Sequence, residues 1–108
     1  MTDNWLQRGR LLLGEEKQER LKNAHLLIVG LGGVGSWAAE MLCRAGVGEF
    51  TIIDADVVDI TNINRQMPAL ASTVGKPKCE VVAERMRAIN PCARINVKRL
   101  FVDPENIE

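Results

Sequence analysis

Charged and apolar residues occur in separate blocks along the chain, and the sharpest change between them comes at residue 26. Residues 15–22 (EEKQERLK) are almost all charged or polar, which predicts a solvent-facing helix. Residues 26–29 (LLIV) are continuously apolar and end in glycines, a pattern typical of a strand buried on both faces of a parallel sheet. Over residues 33–45, small residues followed by larger apolar ones predict a helix that packs closely on that sheet.

The same alternation of strand and helix recurs further along the chain. Residues 50–53 (FTII) predict a second strand. Residues 77–89 then predict a second helix of this unit, because their apolar side chains recur at helical spacing and share one face. The residues of that face are Val82, Met86 and Ile89.

A third strand is predicted over residues 94–97, where apolar and polar side chains alternate. The resulting order β-α-β-α-β predicts an α/β fold, namely a Rossmann-like parallel sheet with right-handed crossovers. We therefore expect an N-terminal helical segment over residues 1–23, followed by a Rossmann-like unit over residues 24–108.

One connection is much longer than the others. About twenty residues separate Asp54 from the helix predicted at 77–89, whereas such connections usually have about two to six. Open α/β sheets bind their ligands outside the carboxyl ends of the strands, where this connection begins. We therefore interpret it as the functional loop.

Composition argues against several classes of protein. The 108-residue chain has 14 basic and 14 acidic residues, so no overall field favours nucleic acid or an anionic membrane. Cys43, Cys79 and Cys92 have no paired spacing, which argues against a disulfide framework or a zinc site. Reduced thiols in a cytoplasmic protein are the simplest interpretation. No segment resembles a signal peptide or is long enough to span a bilayer.

The motif GLGGVG at residues 30–35 follows a predicted strand and opens a predicted helix. In this context G-x-G-x-x-G indicates nucleotide binding, because phosphate can approach the bare backbone and the free N–H groups of the helix. Ser36 and Trp37 stand where a Walker loop requires Lys and Ser or Thr. A turn that serves only close helix–strand packing is the less favoured alternative, and the motif alone does not distinguish NAD, FAD and ATP. Its glycines are Gly30, Gly32, Gly33 and Gly35.

Three acidic residues follow the second predicted strand. Asp54 ends that strand, where a carboxylate can accept hydrogen bonds from both ribose hydroxyls of a nucleotide. Asp59 is better explained by a solvated turn, and the role of Asp56 stays open.

Polar and cationic residues of the long connection favour a triphosphate over a dinucleotide. Attack at the α-phosphorus of ATP builds negative charge, which fixed cations and amides stabilise. Arg65 can bind two phosphate oxygens as a fork, Lys78 can act as a point charge, and Asn62 can donate from its amide. Each residue alone would be explained by a solvated surface, but the three together favour ATP.

Several motifs, in this order, resemble the ThiF/MoeB/HesA superfamily of adenylating proteins, relatives of the ubiquitin-activating enzymes. They extend from Arg8 to about Val97 and include LLLG, GLGGVGSWAAE, CRAGVG, IIDAD, TNINRQ, VGKPK and INP. The short N-terminal segment, SWAAE and the Asn64 of NINRQ look most like the tRNA threonylcarbamoyladenosine dehydratases, since sulfur-carrier adenylators usually have Gln at that position.

The resemblance implies roles for individual residues. The glycine turn would hold the nucleotide and Asp54 the ribose of ATP. Asn62, Arg65 and Lys78 would contact the phosphates, with Arg65 and Lys78 taking part in catalysis. Arg8 matches the catalytic arginine that dimers of this superfamily insert into the partner's active site, although Arg10 is a near competitor.

The implied reaction is ATP-dependent adenylation of a carboxylate. In the dehydratase, the threonyl carboxylate on the tRNA base would be activated and would then cyclise with loss of AMP, so that the net change is loss of water. Adenylation of the C-terminus of a ubiquitin-like sulfur carrier is the first alternative, with a sulfur-carrier or cysteine-desulfurase-related protein as partner. An NAD-dependent oxidoreductase and a non-catalytic binding module are further alternatives.

The superfamily places a magnesium-binding aspartate after its fourth strand, beyond Glu108. We therefore expect the N-terminal, nucleotide-binding half of an incomplete adenylation domain, inactive by itself. In doubly wound sheets the fourth strand pairs with the first. The strand at residues 26–29 would then have an unpaired edge, which predicts a homodimer or another assembly across it.

Some chemically active residues have simpler explanations. Cys79 follows Lys78 in the first turn of a predicted helix, a position that favours a lowered thiol pKa, but an ordinary helical cysteine explains it better. Lys98 and Arg99 are basic enough to touch RNA, but two adjacent charges are more commonly just a solvated strand end. Two residues are expected to be structural: His25 and Cys43.

Overall fold

The computed structural model describes residues 4–6 and 14–100. Every helix and strand predicted from residue 15 onward is present, with bounds that differ by at most one residue from the prediction. The α-helices are α1 (Glu15–Lys22), α2 (Gly33–Ala45) and α3 (Lys78–Ile89), and the strands are β1 (His25–Val29), β2 (Glu49–Ile53) and β3 (Arg94–Lys98). Short 3₁₀ helices occur at Asn4–Leu6 and Ile60–Asn62.

The three strands form one parallel sheet in the order β1-β2-β3, which confirms the predicted α/β architecture. Leu26 of β1 lies opposite Phe50 of β2, which in turn lies opposite Ile95 of β3. Because the strands are parallel, the residues that follow β1, β2 and β3 meet at one edge of the sheet. That edge is where a ligand site is expected.

One face of the sheet is covered by α2 and α3. Val82 and Met86 of α3 are fully buried and Ile89 is partly buried, so the apolar face predicted for this helix is confirmed. On α2, Ala39 and Cys43 pack into the same cluster. The strand residues that complete this core are Leu26, Ile28, Phe50, Ile52, Ile95 and Val97.

The opposite face of β1 is open among the described residues. Leu27 and Val29 are 63% and 54% exposed, so the prediction that this strand is buried on both faces is wrong for this part of the chain. The reason is that α2 and α3 lie on the same side, which leaves alternate side chains of β1 uncovered. As predicted, β1 has no strand partner on its outer edge within residues 14–100.

Helix α1 lies at the amino ends of the strands. The backbone N–H of Gly48, just before β2, donates to Leu21 O at 3.2 Å, and Gln18 Nε2 donates to Ala45 O at 2.9 Å. These contacts attach α1 to the end of the sheet that is opposite Asp54. None of the helices in the described segments is long and apolar enough to cross a bilayer.

Candidate nucleotide-binding site

The glycine turn between β1 and α2 depends on two of its glycines. Gly30 has φ +85°, a conformation that L side chains rarely adopt, and its N–H donates to Ile53 O at 2.8 Å. A Cβ on Gly35 would lie far inside the contact distance of Gly30 O, so only glycine fits there. Helix α2 can therefore begin close against the end of β1.

The first turn of α2 has no side-chain cap, since Gly32 occupies the cap position. Its leading backbone N–H groups lack intrahelical acceptors, as at every helix start, and together they form a site of positive potential. Ser36, one turn in, is buried and donates from Oγ to Gly32 O at 2.6 Å, which helps to hold the turn. The predicted phosphate-binding geometry is thus formed by the chain itself.

Asp54 is buried and attached to the glycine turn. Its Oδ2 accepts a hydrogen bond from Leu31 N at 2.6 Å, and its Oδ1 accepts one from Asp56 N at 2.7 Å. Each carboxylate oxygen has a second lone pair, so the residue can still accept from ribose hydroxyls. From the sequence, Asp54 was expected only to bind the ribose; its role in fixing the glycine turn was not predicted.

A cleft of about 170 Å³ opens at the carboxyl ends of the three strands. Its walls include Gly30 from the turn, Asp54 from β2, and Leu100, which follows β3. Leu100 was not among the predicted site residues. Its position two residues after β3 was a usable signal, because parallel strands bring their following residues to the same edge of the sheet.

The long connection after Asp54 is folded back so that its two ends meet. Lys78 N donates to Asp56 O at 3.0 Å, Val58 N to Lys76 O at 2.8 Å, and Gly75 N to Val58 O at 2.8 Å. These backbone bonds place the start of α3 beside the residues that leave β2. Two predicted site residues that are far apart in sequence, Asp54 and Lys78, are therefore brought to the same region.

Lys78 is the most unusual charge of this region. The residue is only 6% exposed, and its side chain forms no ion pair with any residue in the described part of the chain. A lysine in such a position buries its aliphatic stem and keeps its ammonium at the surface, where an anion can reach it. A phosphate oxygen would supply the missing negative charge, so the residues present fit a nucleotide triphosphate.

Asn62 and Asp59 cap the 3₁₀ helix of the loop together. Asn62 Oδ1 accepts from Asp59 N at 2.9 Å, and Asp59 Oδ1 accepts from Thr61 N at 2.8 Å. Hydrogen bonds from the N–H and hydroxyl of Thr61 hold the pKa of Asp59 below its ordinary value, with a smaller contribution from Lys78. Asp59 is exposed, as predicted. Asn62 is buried and retains its Nδ2 donor, for which no described residue is an acceptor.

Gln66 connects this loop with the glycine turn. Its Nε2 lies 3.8 Å from the position that a Cβ on Gly32 would occupy, and its Oε1 is buried without a hydrogen-bond partner among the described residues. Sequence analysis quoted Gln66 in a motif but gave it no role. Its contact could not be read from the sequence because it joins residues 34 positions apart.

The described hydrogen bonds of Arg65 lie within its own loop and do not direct its guanidinium toward a phosphate position. Its guanidinium is exposed, and Nη1 donates to Thr61 O at 3.1 Å and to Asn64 Oδ1 at 3.0 Å, both within its own loop. The remaining N–H groups, on Nε and Nη2, are free of described hydrogen bonds and can still meet an anion. Arg8 and Arg10, the two candidates for an arginine given to a partner, lie outside the described residues.

The two helical cysteines are buried thiols. Burial raises the pKa of the Cys79 thiol, so the suggestion that Lys78 or the helix start lowers it is wrong; desolvation outweighs both. Burial also raises the pKa of Cys43 to about 11, and Cys43 Sγ donates to Met86 O at 3.4 Å. Cys43 is a core residue, as predicted.

His25 belongs to β1 rather than preceding it, and contacts neighbouring strand residues. Its Nε2 is 2.8 Å from Thr51 Oγ1, which is consistent with the expected structural role. Within residues 4–6 and 14–100, no cluster of three histidine, cysteine or acidic side chains could hold a metal ion.

Comparison with known proteins shows the family of the chain. A sequence profile of the ThiF family matches residues 6–108. The chain belongs to the ThiF family. The tRNA threonylcarbamoyladenosine dehydratase of Haemophilus influenzae is 48% identical over 108 residues, covering 96% of this chain and 41% of that protein. The sulfur carrier protein adenylyltransferase of Thermus thermophilus is 37% identical over 94 residues, 87% of this chain and 35% of the relative.

A solved ThiF-family structure has the same fold. The crystal structure of the Escherichia coli tRNA threonylcarbamoyladenosine dehydratase in complex with ATP matches with a TM-score of 0.92 and 50% identity, over 97% of this chain and 44% of that one. The fold is therefore the Rossmann-like fold of adenylating enzymes. The chain spans about two fifths of the length of the dehydratases that it matches.

Proposed function

We propose that the chain is the ATP-binding part of an adenylate-forming enzyme that dehydrates and cyclises threonylcarbamoyladenosine in tRNA. In this proposal the glycine turn and Lys78 bind the phosphates of ATP, and Asp54 binds the ribose. Asn62 donates to a phosphate through its free Nδ2, and Arg65 does so through Nε and Nη2. The likeness to dehydratases, one of them solved with ATP, supports this assignment.

The ammonium of Lys78, which forms no ion pair in the described part of the chain, carries the proposal. A nicotinamide dinucleotide leaves this charge without a partner, because dinucleotide-binding folds hold the pyrophosphate with the glycine turn and helix start alone. A triphosphate extends further from the turn and offers additional anionic oxygens. The backbone hydrogen bond from Lys78 N to Asp56 O keeps the start of α3 beside the cleft.

These residues act by position and charge. The N–H groups at the start of α2 and the Lys78 ammonium stabilise the negative charge that grows on phosphate oxygens as the α-phosphorus is attacked. The threonyl carboxylate would attack the α-phosphorus of ATP and displace pyrophosphate, so that its oxygen becomes bonded to the adenylyl group. A nucleophilic atom of the same substrate would then attack the activated carbonyl carbon, lose its proton and displace AMP. AMP carries away the carboxylate oxygen, so the substrate has lost the elements of water.

The second candidate is adenylation of the C-terminal carboxylate of a sulfur-carrier protein. Likeness to the Thermus thermophilus sulfur carrier protein adenylyltransferase favours it, and the same ATP-binding residues would serve both reactions. The two candidates differ in acceptor, so transfer of AMP to a carrier protein distinguishes them from dehydration of tRNA.

We further propose that the protein is a homodimer in which β1 takes part in the interface. The open face of β1 exposes Leu27 and Val29, and its outer edge has backbone groups without a strand partner in the described residues. The assignment of Arg8 to a partner's active site belongs to the same proposal. We also propose that magnesium is the counterion of ATP. A cytoplasmic location is proposed as well, because it suits the three free thiols.

Calorimetric titration with ATP and magnesium, with NAD as a parallel ligand, tests the nucleotide assignment. We expect binding of ATP and no binding of NAD. Binding of NAD alone would replace the proposal with an oxidoreductase, and binding of neither would reject an ATP site in this chain.

A further inference from the structure

The basic residues of this chain are unevenly distributed. Residues 85–100 contain five cationic side chains and no acidic one, although the whole chain has a formal net charge of zero. The first of the five, Arg85, forms an ion pair with Glu40. The other four are exposed and form no ion pair within the described residues: Arg87, Arg94, Lys98 and Arg99.

These four residues, which we name the basic strip, lie along β3 at the outer edge of the sheet. Arg94 and Lys98 are on the same face of β3, since alternate residues share a face, and are separated by about 13 Å along the strand. Arg87 reaches from α3 and donates from Nη2 to Ile95 O at 3.1 Å. Arg99 follows Lys98 directly. Cations therefore border this strand along its length.

One acidic residue lies opposite a member of the strip in the described strand pairing. Glu49 lies opposite Arg94 across β2 and β3, but its Oε2 accepts a hydrogen bond from Asn96 Nδ2 at 3.0 Å. Opposite Lys98 is Ile53, which has no charge. The carboxylate of Asp54, near the carboxyl end of the strip, already accepts hydrogen bonds from Leu31 N and Asp56 N.

The carboxyl end of the basic strip borders the candidate nucleotide cleft. Lys98 O accepts a hydrogen bond from Asp54 N at 3.2 Å, and Leu100 forms part of the cleft wall. Arg99 lies between these two residues. A polyanion held along β3 would therefore lead directly to the cleft.

We propose that the basic strip binds the phosphate backbone of an RNA substrate and guides that RNA to the cleft. The inference rests on the proposed function, because it assigns a surface for the RNA to that same site. Charge complementarity carries it: an extended row of cations that form no ion pair among the described residues matches an extended row of phosphates. The phosphates of ATP do not need the strip, since the glycine turn and Lys78 already serve them.

An anionic membrane fits the basic strip less well. Peripheral membrane surfaces combine cations with apolar side chains that enter the bilayer interface. Among the described residues, the large exposed apolar side chains all lie outside residues 85–100, and several are on β1 at the other edge of the sheet. The strip therefore provides charge without an apolar anchor.

The test is fluorescence anisotropy of a labelled, transcribed tRNA titrated with the 108-residue chain at several salt concentrations. The variant is Lys98→Gln with Arg99→Gln. Each lost phosphate contact lowers the slope of log K against log salt by about 0.7, so we expect a reduction of about 1.4. At 0.1 M salt this corresponds to binding that is weaker by about 25-fold.

The matched control is Lys17→Gln with Arg20→Gln, which also removes two exposed cations, but from α1 at the amino ends of the strands. We expect its tRNA affinity and salt slope to equal those of the unchanged chain. The inference would be overturned if both variants lost tRNA affinity equally, or if the unchanged chain did not bind tRNA. It would also be overturned if the chain bound phosphatidylserine vesicles and the Lys98→Gln, Arg99→Gln variant lost that binding as strongly as it lost tRNA binding.

The ATP titration of the same proteins separates this inference from the proposed function. We expect the Lys98→Gln, Arg99→Gln variant to bind ATP as the unchanged chain does, because neither side chain belongs to the ATP site. Loss of tRNA binding with unchanged ATP binding would support the strip. If the variant bound both ATP and tRNA as the unchanged chain does, the RNA-binding role of the strip would be rejected and the proposed function would stand.

Discussion

Asp54 Oδ2 accepts a 2.6 Å hydrogen bond from the backbone N–H of Leu31. The bond joins the end of β2 to the glycine turn that follows β1, and the second oxygen of Asp54 holds the backbone of Asp56. A residue assigned to the ribose of ATP is thus also part of the scaffold. Substitutions at Asp54 will therefore change stability as well as nucleotide binding.

We predict that Asp54→Ala lowers the free energy of unfolding by about 2–3 kcal/mol, because the buried N–H of Leu31 and the half-buried N–H of Asp56 lose a charged acceptor. Urea denaturation without nucleotide measures this effect. Asp56→Ala is the control, since its side chain is exposed and the hydrogen bonds described for it come from its backbone. Equal stability of the Asp54 variant and the unchanged protein would contradict the structural role.

The glycines at positions 33 and 35 should respond differently to alanine. Gly35→Ala places a Cβ against Gly30 O and should cost about 3 kcal/mol of stability, since the clash is with backbone that cannot move freely. Gly33→Ala meets no atom within 4 Å and should stay within about 1 kcal/mol of the unchanged protein. Thermal or urea unfolding of both variants checks the contrast, and a tolerant Gly35 would refute the close approach of α2.

Stability should decrease at high pH through Cys43. Its pKa rises from 9.0 to about 11 on folding, so the folded state favours the neutral thiol. The associated stability is complete below pH 9 and is lost as the pH rises toward 11. Two pKa units correspond to roughly 2–3 kcal/mol as an upper limit.

The measurement for Cys43 is the difference in unfolding free energy between pH 8 and pH 11 for the unchanged protein and for Cys43→Ala. Lysines also titrate in this range, so only the difference between the two proteins reports on the thiol. Cys92→Ala, at an exposed cysteine, is the control. The same pH dependence in all three proteins would remove Cys43 as its source.

Association of the chain should depend on the open face of β1. We predict that Leu27→Lys increases the monomer fraction in light scattering, because it places a charge on the exposed apolar surface next to the unpaired edge. Val34→Lys, at an exposed apolar position on α2, serves as the comparison. A monodisperse monomer at high concentration for the unchanged chain would contradict the proposed dimer.

Local patterns in the sequence predicted the bounds of the helices and strands closely. They did not predict which faces of the strands are covered by other elements. The run 26–29 correctly predicted a strand, yet its apolar side chains do not reveal which face is covered, and Leu27 and Val29 proved exposed. The 3₁₀ helix at Ile60–Asn62 was also missed, since it depends on reciprocal hydrogen bonds between Asp59 and Asn62.

Prediction of the site succeeded best for the glycine turn and for Asp54, where the residue type itself limits what the position can do. The glycine turn follows from backbone geometry, and the carboxyl edge of a parallel sheet indicated Asp54. The contact of Gln66 with Gly32 joins segments far apart in the chain, so no local signal gives it. The cleft position of Leu100 could have been inferred from its place just after β3. The favoured interpretation of Cys79 as an ordinary helical cysteine is confirmed, since its thiol is buried and its pKa is raised.

The most direct test of the account compares ATP binding by Lys78→Met and Lys76→Met. Both substitutions remove one charge and keep most of the side chain, but Lys76 is exposed whereas Lys78 is buried beside the cleft. If Lys78 binds a phosphate, its variant should bind ATP about 10- to 100-fold more weakly, because a charge-assisted contact is lost. The same variant should be about as stable as the unchanged chain, since the ammonium has no ion pair among the described residues to lose. The Lys76 variant should bind as the unchanged chain does. Equal ATP affinity in the two variants would contradict the central claim.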